Sequence, residues 1–69
     1  MITLDIDKLE SPYYDAVEHF YLMNNHLSNI EYIDKFEKTY RCKANRRGDG
    51  GWDMVFNDED YTWFLLRWS

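Results

Sequence analysis

Apolar and polar positions alternate near both ends of the chain and recur three and four apart in its middle. Ile2, Leu4 and Ile6 alternate with Thr3, Asp5 and Asp7. That period of two predicts a short strand with one apolar face. Ser11 and Pro12 then read as a helix start, because Ser accepts from the free amides of a first turn and Pro fits the first helical position. Tyr13, Val17, Phe20, Asn24 and Leu27 follow at helical spacing, with Ala16 and Met23 widening the stripe. One face of this helix is therefore apolar. It weakens at Asn24 and Asn25, where helix propensity falls.

A second helix opens at Ser28. Ser28 and Glu31 match the capping box, in which each side chain satisfies the other residue's amide, and Leu27 with Tyr32 supplies the accompanying hydrophobic staple. Ile30, Ile33, Phe36 and Tyr40 continue the apolar stripe. Residues 36–44 also alternate as a strand would. Three acid-before-base pairs four apart, Glu31 with Lys35, Asp34 with Lys38 and Glu37 with Arg41, decide for helix as far as about Tyr40. Cys42, Ala44 and Arg46, alternating with Lys43 and Asn45, then predict a short edge strand. Residues 47–51 hold all three glycines and read as a turn.

The last third carries all three tryptophans. Trp52, Met54 and Phe56 alternate with Asp53, Val55 and Asn57, which predicts a strand. Asn57, Asp58, Glu59 and Asp60 suit a turn, since Asn and Asp bond their own backbone. Residues 61–68 are rich in β-favouring rings and read as the returning arm of a hairpin. Tyr61, Trp63 and Leu65 point one way from that arm, and Phe64, Leu66 and Trp68 the other. The predicted order is β-α-α-β-β-β. This is an α+β domain spanning residues 1–69, with two helices packed on one face of a small antiparallel sheet. An arm apolar on both faces is normally covered on both, and 69 residues hold little material to do so.

Composition sharpens this picture. A domain of this size buries only about 60% of its unfolded surface. The 19% aromatic content supplies large apolar areas in place of scarce aliphatics. Cys42 is the single cysteine, which excludes an intrachain disulfide or a multi-cysteine zinc site and suits a reducing compartment. The first residues lack the pattern of a signal peptide, and no apolar run approaches the roughly 20 residues needed to span a bilayer. The expected setting is the cytoplasm. Net charge is −5, but residues 1–34 carry −6, residues 35–47 carry +5 and residues 48–69 carry −4. Such blocks bear on partner steering more than on fold.

Candidate chemistry is sparse. His19 and His26 are seven apart, roughly 10.5 Å along a helix axis, too far for one metal ion without further ligands. No metal or cofactor is expected. Cys42 lies between Arg41 and Lys43, which favours a thiolate, and His19 or His26 would be its base. Its strand alternation instead points it inward as a core residue. Arg47, Gly48 and Asp49 spell an adhesion tripeptide without any extracellular context. The basic segment offers Lys43, Arg46 and Arg47 for nucleic acid, against the acidity of the whole. The main expectation is a non-catalytic protein-binding module, an inhibitor or adaptor of the kind carried by phages and mobile elements. It would act in the host cytoplasm by covering a larger protein, including one with a basic nucleic-acid groove. Its contact surface is read as Trp52, Tyr61 and Trp63 rimmed by Asp53, Asp58, Glu59 and Asp60, since Trp and Tyr concentrate at the energetic centres of interfaces. A second copy of the chain is the other occupant this face allows.

Overall fold

The strand carrying Trp52, Met54 and Phe56 becomes the centre of the sheet. In the computed structural model, which describes residues 1–69, this strand (β3, Trp52–Phe56) lies between β1 (Ile2–Asp5) and β2 (Lys43–Arg46), antiparallel to both. Leu4 and Ala44 stand opposite Met54, Ile2 opposite Phe56 and Arg46 opposite Trp52. Side chains alternate across a strand, so these residues share one face. Thr3, Asp5, Lys43, Asn45, Asp53 and Val55 share the other. The first face is covered by three helices: α1 (Tyr13–Asn24), α2 (Asn29–Tyr40) and α3 (Asp58–Trp68). A 3-10 turn over Ile6–Lys8 leads from β1 toward α1. No helix is long and apolar enough to cross a membrane.

The α+β class, the antiparallel sheet and the first five elements are those the sequence predicts. The sixth is not a strand. Residues 61–68 lie in α3, and there is no C-terminal hairpin. Asn57, Asp58, Glu59 and Asp60 are not a turn between strands but the cap and first turn of this helix, with the Asn57 side chain accepting from the Asp60 amide at 2.8 Å. Three acids in that first turn and Arg67 in the last complement the helix dipole. Tyr61, Phe64, Leu65 and Trp68 recur at helical spacing and face the core, whereas Leu66 is 76% exposed. The third helix shelters the face that two helices alone would leave partly open.

Two further local details differ from expectation. Ser11 does not cap α1; its hydroxyl donates to Asp15 at 3.1 Å, and Pro12 stands at the cap position without a side-chain bond. Of the three charge pairs on α2, only Lys38 with Asp34 forms, at 3.0 Å. Lys35 donates instead to the buried Asn24 side chain at 2.6 Å, which ties α2 to the end of α1. Glu37 accepts from the Ala44 amide at 2.8 Å and joins α2 to the sheet edge. Arg41 closes α2 in the left-handed region (φ 54°), with its guanidinium 4.0 Å from the centre of the Trp63 ring. The capping box at Ser28 and Glu31 forms as predicted.

The core is small and built of rings. Tyr40, Met54, Phe56 and Phe64 are almost wholly enclosed, joined by Val17, Phe20, Phe36 and Cys42. Phe64 meets Tyr13, Tyr40 and Phe56 at centroid distances of 5.3, 5.9 and 5.0 Å. Burying one such side chain stabilises by about 1.5–3 kcal/mol.

The helical state of α3 is open to direct test. Removing its cap with Asn57→Ala should cost about 1 kcal/mol in denaturant unfolding. Thr62 is exposed on this helix. Thr62→Ala should therefore hold or raise stability by up to about 0.6 kcal/mol, because Ala is the better helix former. In a strand the same change would destabilise.

Candidate functional site

The three helices do not cover the whole apolar face of the sheet. α3 lies over the Phe56 end, with Tyr61 packed edge-on to Phe56 at 5.9 Å. The Trp52 end is left to α1 and α2, and a cleft of about 780 Å³ opens there. One wall is α1, which presents Tyr14, Glu18 and Tyr21 at spacings of four and three, with Asn25 just past its end. A second wall is α2 and the connection before it, with Leu27, Tyr32 and Ile33. The far wall is the sheet end, Ala44, Arg46 and Trp52, with Gly50 and Gly51 beside them; Ile6 and Asp7 close one side. Tyr14 is 40% exposed and Tyr21 55%, while Tyr32 and Trp52 are half-buried. Tyr21 and Tyr32 stand 6.1 Å apart with planes at 71°. Burial, and then the neighbouring Tyr21, raise the Tyr32 hydroxyl above its ordinary value, so it remains an O–H donor at neutral pH.

The opposite face of the sheet holds a different constellation. Arg47 reaches Asp5 at 2.8 Å and Asp53 at 3.0 Å through Nη1, and Asp49 at 3.2 Å through Nε. Asp53, only 9% exposed, is thereby paired. The Arg47 hydrogen bond holds the Asp5 carboxyl below its ordinary value. The Gly51 amide, and then Arg47, do the same for Asp49. Those bonds, the one to Asp5 foremost, raise the guanidinium in turn. A Cβ on Gly51 would collide with the Arg47 guanidinium, so a side chain there would have to push the guanidinium out of its place in the ion cluster. Gly50, at φ 90°, meets the turn's own backbone demand.

The residues predicted as one docking face are therefore scattered. Trp52 lines the cleft. Asp53 lies beneath Arg47 on the other side of the sheet. Asp58, Glu59 and Asp60 form the first turn of α3, Tyr61 packs on Phe56, and Trp63 lies under Arg41. Of the basic residues, Lys43 and Arg46 are exposed but fall on opposite faces of β2, and Arg47 is occupied by three carboxylates. Because Arg47 also binds Asp49, the tripeptide is folded onto itself. His19 and His26 are exposed, and no three His, Cys, Asp or Glu side chains converge where they could hold a metal ion. Burial first, then the Glu37 carboxylate, push the Cys42 thiol up to about 12, which leaves it a protonated core side chain at neutral pH. A second, more open depression of about 420 Å³ lies among Lys38, Arg41, Lys43 and Asp60.

No protein-family model matches the chain, and no curated protein or solved structure matches it significantly. The cleft thus stands on its own geometry. The sequence reading passed over Tyr14, Glu18 and Tyr21. Their signal was a second aromatic line on α1, one position round from the stripe of Tyr13, Val17 and Phe20.

The ion cluster makes a pH-dependent contribution whose sign is fixed. Carboxyls held low in the fold stabilise it above their ordinary value of 3.8, and that contribution is lost as pH falls through the lowered values. Arg47→Met removes the cation and leaves Asp5, Asp49 and Asp53 facing one another. Its melting temperature should lie below wild type at neutral pH, and the two should converge as pH drops below 3.8. Gly51→Ala should reproduce most of the Arg47→Met loss, and the double variant should fall short of the sum of the two singles in a thermal-melt cycle.

Proposed function

We propose that this chain is a small non-catalytic protein-binding module, an inhibitor or adaptor in the cytoplasm, which docks on a larger protein through the aromatic cleft between α1, α2 and the Trp52 end of the sheet. The observation that carries this reading is the cleft itself. It offers four rings, Tyr14, Tyr21, Tyr32 and Trp52, and aliphatic walls, with amides and hydroxyls at the rim. Tyr and Trp supply large contact area at low entropic cost and pair an apolar body with a polar tip. Of the surface expected from sequence, Trp52 is retained. The aromatic β-arm gives way to the α1 line, because residues 61–68 spend their rings on the core. Binding to nucleic acid through the basic segment is the weaker reading, since Arg47 is already paired and Arg41 lies on Trp63.

A photo-crosslinking side chain in place of Tyr21 should give a discrete adduct with a larger protein, and the same group in place of the exposed Thr62 should not. Tyr21→Ser should weaken that partner by at least about 2 kcal/mol, the level of an interface hot spot, with the melt unchanged. An adduct from position 62 alone would move the docking surface to α3. An adduct at twice the chain's own mass would identify a second copy as the occupant.

A further inference from the structure

Resting on that reading, we infer that the cleft receives an arginine side chain from an extended, basic segment of the partner. Tyr14, Glu18 and Tyr21 are four and three residues apart, so the Glu18 carboxylate projects between two tyrosines on one side of α1. Asp7 adds a second carboxylate at the side of the same cleft. Both residues are exposed, and neither carboxylate is in an ion pair. The cleft thus presents negative charge together with aromatic faces.

Guanidinium suits both features at once. It is planar, stacks on rings, and donates two parallel hydrogen bonds to one carboxylate. An ammonium is also drawn to a ring face, but it neither stacks flat on it nor donates two parallel bonds to one carboxylate. The chain already uses this pairing internally, where Arg41 lies 4.0 Å from the centre of the Trp63 ring. Arg46 on the far wall sets the direction of approach. It repels a second cation near Trp52, so the incoming guanidinium settles on the α1 side and the less polar part of the segment lies along Trp52, Ala44 and Ile33. The unpaired carboxylates of Asp7 and Glu18 draw a basic segment toward the cleft, and that attraction weakens with salt.

The test uses the intact chain, isotopically labelled, and a short blocked peptide alternating arginine with glycine. Its control replaces each arginine by citrulline, which keeps the shape and removes the charge. Addition of the arginine peptide should shift the Trp52 indole N–H and the Tyr21 and Tyr32 resonances. The affinity should fall about tenfold or more with Glu18→Gln, with Tyr21→Leu, and with citrulline in place of arginine. Both positions are exposed, and melts of the two variants should overlay wild type. Equal binding of the citrulline peptide would overturn the arginine assignment and leave the cleft as a docking surface. Shifts confined to residues 58–60, or none at all, would also overturn it. If position 21 still crosslinks the larger partner in that case, the protein-binding reading survives; if that adduct is missing as well, both fall.

Discussion

Tyr40 holds the three helices to one another. It is the last residue of α2, and its ring meets Phe36 on its own helix at 4.8 Å, Phe20 on α1 at 5.6 Å, and Phe64 and Trp68 on α3 at 5.9 and 5.1 Å. Its hydroxyl donates to the Ala16 carbonyl at 3.2 Å. Burial, then Tyr32 and Cys42, push that hydroxyl up to about 12, so the proton stays in place at neutral pH and the bond to α1 is kept. A chain with 10 buried residues among 69 has few ways to join three helices. Large rings meeting edge-to-face or tilted at one point is the way taken here. Each such pair adds about 0.5–1.5 kcal/mol beyond the area it buries.

This concentration on one face leaves the other face of the sheet without a covering layer, and the polar cluster follows from that. Asp53 is the second residue of the central strand, with Asp5 and Asn45 as its cross-strand neighbours. Two carboxylates side by side repel each other, which would weaken the pairing of β1 with β3. Arg47 answers this by reaching back over the sheet from the turn to both carboxylates. The guanidinium thus acts as the missing layer, and it links β1, β3 and the turn without an apolar contact.

The sequence made α2 legible because its signals are local and redundant: a capping box, a staple position, ordered charges and a helical stripe. Even there the charges went elsewhere, since Lys35, Glu37 and Arg41 each found a partner on another element. The end of the chain was misread for two reasons. Asn and Asp serve turns and helix caps alike, because in both settings their side chains bond nearby amides. Six of the eight residues at 61–68 are apolar or aromatic, so a period of two and a period of 3.6 fit equally well. Aromatic preference for strands then tipped the reading, and tertiary burial of Phe64 against Phe56 and Tyr40 overrode it. The cleft was illegible for another reason. Its walls come from residues 6 to 52, and the space exists only because α3 covers one end of β3 and leaves the other.

That geometry ties the two faces of the sheet to a single turn. Residues 47–51 carry Arg47 to the polar face, then pass through Gly50 and Gly51 to set Trp52 in the cleft wall. The Arg47 guanidinium occupies the space that a side chain on Gly51 would take. The bare backbone at Gly50 and Gly51 also borders the cleft and keeps it open at that corner. The Arg47 amide bonds the Gly51 carbonyl at 2.8 Å, and the Gly51 amide bonds Asp49 at 2.9 Å, so the turn has little freedom to shift on its own. An ion cluster on the wet face therefore fixes the position of an aromatic ring on the dry one. The acidic side chains that bind Arg47 differ from those that line the cleft: the first group is paired to hold the sheet, and Asp7 and Glu18 are in no ion pair. Part of the chain's acidity is thus consumed by structure, and part stands beside tyrosine rings.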